Sequence, residues 1–186
     1  MLKGMKAKRQ LAAFVALAVG GAFSAAPVAY AAESATVKTG DNIGGNDGTV
    51  AHPYGDIVGT NLMNGSVAGN HLTIGELILP SPNLPRVNGT ITAGGKASTT
   101  AAVSGNTLTI NNITLAGNAY AGEGKGSVFN NIVEMNGGTV TGELHGGHAE
   151  SMVQQTGTGK TIENTVHMSG GTVTGALYGA YSATGG

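Results

Sequence analysis

The sequence contains no cysteine, and this absence removes several chemistries at once. Without thiols the chain can form no disulfide bond, no zinc–thiolate site and no cysteine nucleophile. Charged residues are also few, at 10% of 186 residues, and aromatic residues make up 4% with no tryptophan. Because 40% of the residues are apolar, the composition is not that of a charge-rich disordered protein. The fold must be held by hydrogen bonds and packing alone.

Glycine is the residue that the sequence has in excess: there are 33 in the chain, far above the usual share of about 7%. Threonine and asparagine are also frequent. All three are poor helix formers, which disfavours an α-helical bundle. The glycines keep no strict three-residue period, which excludes a collagen triple helix.

The N-terminus has the three parts of a secretory signal peptide. Basic residues within positions 3–9 precede an apolar run at 11–19, and Ala29 and Ala31 form a small-residue cleavage pattern. We therefore predict that residues 1–31 are a signal peptide for the general secretory route, and that the mature chain is located at the cell surface, in the outer membrane or outside the cell. An uncleaved membrane anchor is the alternative, but glycines and a proline follow the apolar run.

Removal of this segment would change the charge of the chain. Four of the nine basic residues would leave with it, whereas all ten acidic residues would stay, giving a net charge of −5. An excess of negative charge argues against a nucleic-acid partner and against binding to an anionic membrane.

Internal repeats occupy most of the remaining sequence. Residues 131–148 read NIVEMNGGTVTGELHGGH, and residues 164–181 repeat this pattern as NTVHMSGGTVTGALYGAY. A more diverged copy occupies 106–123, and weaker copies occur within 57–105. A unit this small cannot bury its apolar face alone, so the repeats are predicted to stack into a continuous parallel ladder.

Apolar residues alternate with period two inside each repeat, which predicts β-strands. Each repeat is expected to form two strands around a glycine turn, the second spanning 139–144. In-frame stacking would pair Val133 with Val166, Met135 with Met168, Val140 with Val173 and Leu144 with Leu177. All eight are expected to be buried, with these residues outside: Glu134, Glu143, His167 and Tyr178. Upstream, the core is expected to continue through Ile43, Ile57, Val58, Leu72, Ile74 and Leu77.

These patterns predict an all-β fold: a parallel β-helix or β-solenoid of Gly/Thr/Asn-rich repeats, preceded by a signal peptide. The predicted parts are the signal peptide (1–31), an N-terminal lead or cap (32–56), diverged repeats with a proline-rich loop at 79–85 (57–105), and regular repeats (106–186). An antiparallel β-sandwich is the alternative, but it would not require repeats in frame.

The unit N-x-V-x-M-x-G-G-T-V-x-G-x-L-Y-G-x-Y behind a secretory signal resembles the passenger regions of Gram-negative autotransporters, which are type V secreted surface proteins. The resemblance is best over 106–186 and implies a non-catalytic β-helical stalk or adhesin. It implies as partner a ligand on a host or neighbouring cell, or other copies of the chain. Autotransporters also carry a C-terminal outer-membrane barrel, which this sequence does not contain. Because the chain stops between repeats, we expect a fragment with such a barrel downstream; a complete chain would instead favour free secretion.

His145 and His148 are the sharpest candidates for a metal site, with Glu143 or Glu150 as a third ligand. In the repeat frame, however, the position of His145 is a tyrosine in the copies on either side. A position that accepts either ring favours an exposed column of stacked side chains over a metal site.

The carboxylates form no catalytic constellation in the repeat frame, because Glu134 aligns with Thr109 and His167. We therefore predict no catalytic, cofactor-binding or metal-binding residue, and no cofactor. The alternative function is a secreted carbohydrate-active β-helix enzyme, which would need paired carboxylates.

Overall fold

The computed structural model describes residues 34–43, 45–59, 67–77, 84–94, 96–97, 102–150 and 163–183. Every regular element in these residues is a β-strand, and every pairing between two strands is parallel. The all-β prediction is confirmed, and the antiparallel sandwich is wrong for this part of the chain. The predicted signal peptide and most of the proline-rich loop lie outside the described residues. Within those residues, no helix is long and apolar enough to cross a membrane.

The strands form four sheets, in each of which neighbouring strands follow the order of the chain. Sheet 1 contains β1 (Ser34–Val37), β4 (His71–Ile74), β9 (Thr107–Ile110), β13 (Ile132–Met135) and β16 (Thr165–Met168). Sheet 2 contains β5 (Arg86–Val87), β10 (Thr114–Leu115), β14 (Thr139–Val140) and β17 (Thr172–Val173). Sheet 3 contains β2 (Ile57–Val58), β6 (Ile91–Thr92), β11 (Ala119–Gly124), β15 (Leu144–Ala149) and β18 (Leu177–Ser182), and β7 (Lys96–Ala97) also pairs with β11. Sheet 4 contains β3 (Val67–Ala68), β8 (Val103–Ser104) and β12 (Val128–Phe129).

The chain passes from sheet 1 to sheet 2, sheet 3 and sheet 4, and then returns to sheet 1 beside the strand it left. We call one such passage a circuit and number the circuits from the N-terminus. Circuit 3 is 106–130, and the described parts of circuits 4 and 5 are 131–150 and 163–183. The starts of circuits 3 and 4 are 25 residues apart, and an offset of 33 relates circuit 4 to circuit 5. The strand register is the same in both cases, because the additional residues all lie between β15 and β16.

The predicted register of the last two repeats is confirmed by parallel pairing of Val133 with Val166, Met135 with Met168, Val140 with Val173 and Leu144 with Leu177. The predicted burial is confirmed in circuit 4, whose four members are fully buried. In circuit 5 it is wrong: Met168 is 41% exposed, Leu177 is 51% exposed, and Val166 and Val173 are half-buried. The reason is that no described residue packs against the outer side of circuit 5.

The prediction of two strands per repeat is also wrong. The expected strand at 139–144 is divided into β14 and β15, because the chain turns from sheet 2 to sheet 3 at Gly142. At this turn the backbones of successive circuits approach closely: a Cβ on Gly142 would lie 2.4 Å from the carbonyl oxygen of Gly117. Glycine is therefore required by the corner and not by the strand.

The upstream core follows the predicted pattern only in part. Ile57, Leu72 and Ile74 are buried as expected, and Ile43 packs against the core while staying partly exposed. Two other predictions are wrong. Val58 is 38% exposed because it follows Ile57 in β2 and so points to the opposite face, and Leu77 is 65% exposed because it lies beyond the end of β4.

A column of buried asparagines, which we call the asparagine ladder, lies at the corner between sheets 4 and 1. Its members are Asn70, Asn106, Asn131 and Asn164. Each side-chain amide donates to the oxygen of the next: Asn106 Nδ2 lies 2.8 Å from Asn131 Oδ1, and Asn131 Nδ2 lies 2.9 Å from Asn164 Oδ1. The last three members also donate to backbone carbonyls of sheet 4, those of Val67, Val103 and Val128. Buried polar groups at this corner are thus paired within and between circuits.

Tyr54 belongs to the core, and Ile43 packs against it. Tyr54 is fully buried, and its hydroxyl lies 2.6 Å from the carbonyl oxygen of Lys38 and 2.9 Å from that of Asp41. Burial, followed by the nearby carboxylates of Asp41 and Asp47, raises the pKa of Tyr54 to about 12. The division of the chain into a cap at 32–56 and two groups of repeats stays a prediction.

Candidate functional site: the histidine–tyrosine cluster of sheet 3

Five rings on three neighbouring strands contact one another on the outer face of sheet 3. They are Tyr120 on β11, His145 and His148 on β15, and Tyr178 and Tyr181 on β18. Parallel pairing places His145 between Tyr120 and Tyr178, and His148 beside Tyr181. We call these five residues the histidine–tyrosine cluster.

The local sequence explains why ring positions three apart share one face. Ala121 belongs to the core, and the next residue, Gly122, packs against the amide of Asn131, where a Cβ would lie 2.6 Å from the side chain. Two consecutive inward positions at this corner return position 123 to the outer face that Tyr120 occupies. The same geometry recurs at Gly147 and brings His148 beside His145.

The rings contact each other along and across the strands. The His145 centroid lies 4.8 Å from Tyr120 and 4.8 Å from Tyr178, with an angle of 27° between the planes of His145 and Tyr178. These distances match the spacing of neighbouring strands, so register alone produces the stack. His148 lies 5.1 Å from His145, and also 5.1 Å from Tyr120 and from Tyr181.

The predicted stacking column is present, but its predicted exposure is wrong at the centre. His145 is fully buried and Tyr120 is 6% exposed, because ring faces are covered from both neighbouring strands. Tyr178, expected outside, is half-buried, whereas Tyr181 is 37% exposed. Of the other residues expected outside, Glu134 and His167 are exposed and Glu143 is only partly so.

Glu143 fixes the tautomer of His145. The Nε2 atom of His145 lies 3.0 Å from Oε2 of Glu143, and a carboxylate can only accept, so Nε2 carries the proton. The Nδ1 atoms of His145 and His148 are buried and have no hydrogen-bond partner among the described residues. Burial is the main cause that lowers the pKa of His145, while the hydrogen bond to Glu143 opposes it. The neutral imidazole is therefore the form that this environment favours.

Among the residues that it describes, the structure brings together neither the ligands that a metal site would need nor the carboxylates Glu134 and Glu143. Within the described residues, no group of three or more His, Asp or Glu side chains is placed to hold a metal ion. Glu134 lies on β13 in sheet 1, whereas Glu143 directly precedes β15 of sheet 3, so the structure does not pair them. The cluster contains one buried imidazole bonded to the Glu143 carboxylate, and a second carboxylate, that of buried Glu123 on β11, lies at the register position of His148.

Two contacts seen in the structure have a signal in the sequence that the strand pattern alone does not include. The asparagine that opens each repeat signalled the ladder, and its recurrence was visible at 106, 131 and 164. The Glu143–His145 contact had only a weak signal, a spacing of two on one strand face, and the structure brings the two together at the entry to β15.

Comparison of the chain with protein families, with curated proteins and with solved structures gives no match.

Proposed function

We propose that the chain is a non-enzymatic stalk segment of an exported bacterial surface protein, built as a parallel β-solenoid and similar in role to an autotransporter passenger. One observation carries the proposal: repeats with offsets of 25 and 33 residues keep one strand register. A stack that accommodates additional residues between β15 and β16 without a change of strand register can be lengthened by adding repeats.

The solenoid part of the proposal is supported by the order in which the chain visits its sheets. The sheets contribute columns of apolar residues, such as Leu108, Val133 and Val166 in sheet 1, and the valines of sheet 4 form a second, smaller cluster with Ala149. Each column continues from one circuit to the next, and the asparagine ladder does the same at one corner. Repeated contacts between nearest neighbours are typical of solenoid proteins.

Export is supported by the N-terminal sequence. The non-enzymatic role is supported by the histidine–tyrosine cluster, in which the imidazole of His145 is fully buried. A substrate could not contact that imidazole without displacing the rings around it. The partner would then be a cell-surface ligand or a second copy of the chain.

A disulfide experiment tests the solenoid register, and it is clean because the chain has no cysteine of its own. Glu134 and His167 are exposed, parallel register partners on β13 and β16. Cysteines at these two positions should cross-link on mild oxidation, since paired strands place Cα atoms within the disulfide range of about 4.4–6.8 Å. The matched control combines Glu134→Cys with Thr165→Cys, which is two residues out of register and should not cross-link. Equal cross-linking of both variants would refute the register.

Expression of the full chain in a Gram-negative host tests export. Mass spectrometry of the exported chain should show a mature N-terminus at Ala32. As a control, Val15→Asp interrupts the apolar run of the signal and should keep the chain in the cytoplasm. A surface chain that retains residues 1–10 would refute the signal-peptide interpretation.

The non-enzymatic role is tested by incubating the purified chain with plant and microbial polysaccharides. We expect no release of reducing ends above that of a Glu143→Gln, His145→Phe double variant. Release by the native chain that this variant abolishes would instead establish the carbohydrate-active enzyme.

A further inference from the structure

We infer that the contact between circuits 4 and 5 is an acid-sensitive joint, in which protonation of His145 loosens β18 from β15. The inference is independent of the proposed function. It rests on the position of one buried imidazole between the strands of two successive circuits.

His145 is one of the two residues, with His148, through which β15 contacts the rings of β18. Its ring stacks on Tyr178 at 4.8 Å and meets Tyr181 edge-on at 5.7 Å. The ring is fully buried, and its Nδ1 atom has no hydrogen-bond partner in the part of the chain that the structure describes. A proton added to Nδ1 would create a buried N–H donor without an acceptor, on a cation removed from water.

The charged groups around His145 oppose one another. Glu143 and Glu123 favour the imidazolium, and His148 disfavours it. Glu143, the nearest at 3.0 Å, has a side chain that is 43% exposed, so water screens its attraction. The remaining titratable groups that face the ring from β11 and β18 are tyrosines. On β13 and β16, the titratable side chains are Glu134 and His167, both exposed on sheet 1.

Burial outweighs these attractions and lowers the pKa of His145 below its ordinary value. The unfolded or opened chain then binds a proton at a pH where the closed joint does not. The joint is at full strength above the ordinary histidine pKa of about 6.5, and it weakens as the pH falls from there toward the lowered value.

Opening is expected on the side of circuit 5. The residues of circuit 5 that pair with buried residues of circuit 4 are themselves only partly buried: Leu177 is 51% exposed and Met168 is 41% exposed. On the other side, Ala119 and Tyr120 of circuit 3 are almost fully buried. Lifting β18 therefore gives up less packing than separating β15 from β11, and it admits water to His145.

Nuclear magnetic resonance on the full chain measures both halves of the inference. The imidazole signals give the titration midpoint of His145. Amide exchange, corrected for the intrinsic rate at each pH, gives the protection of β18 against that of β9. We expect the midpoint of His145 to lie below the ordinary histidine value of about 6.5, and the protection of β18 to fall up to about tenfold per pH unit as the pH falls from that value, with β9 unchanged.

The repeat itself supplies the matched variants. His145→Tyr installs the residue found at the same register position in circuits 3 and 5, and it should make the protection of β18 independent of pH between 5 and 8. His167→Thr, which installs the residue of the equivalent position 109, should leave the pH dependence intact.

Three results would overturn the inference. The first is that β18 keeps its protection while His145 titrates. The second is that His145 titrates above the ordinary histidine value of about 6.5, which would mean that the ion pair with Glu143 tightens the joint in acid. The third is that His145→Tyr retains the pH dependence of the native chain. If this variant fails to fold, the two measurements on the native chain decide the matter.

Discussion

Replacing Asn131 by alanine removes the centre of the asparagine ladder. The side chain accepts from Asn106 N at 3.1 Å and from Asn106 Nδ2 at 2.8 Å. Its own Nδ2 lies within 3.1 Å of three acceptors, the carbonyls of Val103 and Phe129 and the Oδ1 atom of Asn164. All of these contacts are lost in the variant, and the buried backbone N–H of Asn106 is left without its acceptor.

The magnitude follows from the two kinds of loss. A buried donor left unpaired costs about 1–3 kcal/mol, and each ordinary hydrogen bond adds roughly 0.5–1.5 kcal/mol. Because three acceptors share one NH₂ group, their contributions do not add in full. We expect Asn131→Ala to lower the free energy of unfolding by about 3–5 kcal/mol.

Urea unfolding of the full chain, followed by far-ultraviolet circular dichroism, measures this change. The matched control is Asn136→Ser, which removes an amide that is only part-buried, bonded to Asn111 at 2.9 Å, and installs the serine of the next repeat. This control should cost less than about 1 kcal/mol. A loss for Asn131→Ala no greater than for the control would refute the view that the ladder holds the corner.

An aspartate at position 131 separates hydrogen bonding from shape. A carboxylate keeps the acceptor for Asn106 but cannot donate to Val103, Phe129 or Asn164, and it buries a charge. Asn131→Asp should therefore be less stable than the native chain at pH 7 and recover part of the loss as the pH falls, since the neutral acid is the form that a buried site favours. Stability that does not rise on acidification would contradict this reasoning.

Three further changes test the packing and the burial of Tyr54. Leu144→Ala should lower the free energy of unfolding by about 2–5 kcal/mol, because the side chain of Leu144 is fully buried. Leu177 is 51% exposed, so Leu177→Ala should lower it by about 1 kcal/mol. Equal losses in thermal unfolding would contradict the difference in burial. Gly147→Ala should cost about 1–3 kcal/mol because its Cβ would lie 2.4 Å from the next ladder asparagine, and Ala180→Gly, at the paired position, should change stability by less than about 1 kcal/mol. Since the pKa of Tyr54 is raised to about 12, stability should fall as the pH rises from 10 toward 12. Ultraviolet absorbance titration should show a late-titrating tyrosine in the native chain that is lost in the Tyr54→Phe chain.

The strand register shows what the repeats alone could predict and what they could not. In-frame copies predicted the pairing of Val133 with Val166 and of Leu144 with Leu177, and the structure confirms both. The same alignment could not predict that Leu177 is half exposed, because a repeat pattern is identical for an inner and an outer circuit. Burial depends on what lies beyond a residue in space, which the spacing of repeats does not contain.

The histidine–tyrosine cluster shows the same division at the candidate site. Alignment of His145 with Tyr120 and Tyr178 predicted a column of rings. The burial of the central ring depends on neighbouring strands that place the ring centroids of Tyr120 and Tyr178 each 4.8 Å from that of His145, and its contact with Glu143 depends on how the chain enters β15.

By itself, the sequence determined the β content, the parallel in-frame stacking and the absence of any disulfide, since period-two alternation, repetition and composition are local properties of the chain. Only the tertiary structure decided that each repeat divides into strands on separate sheets, that its asparagine closes a corner, and that His145 is enclosed while Leu177 is open. These depend on contacts between residues 25 or 33 positions apart, made when successive circuits pack at the distance that backbone hydrogen bonds impose.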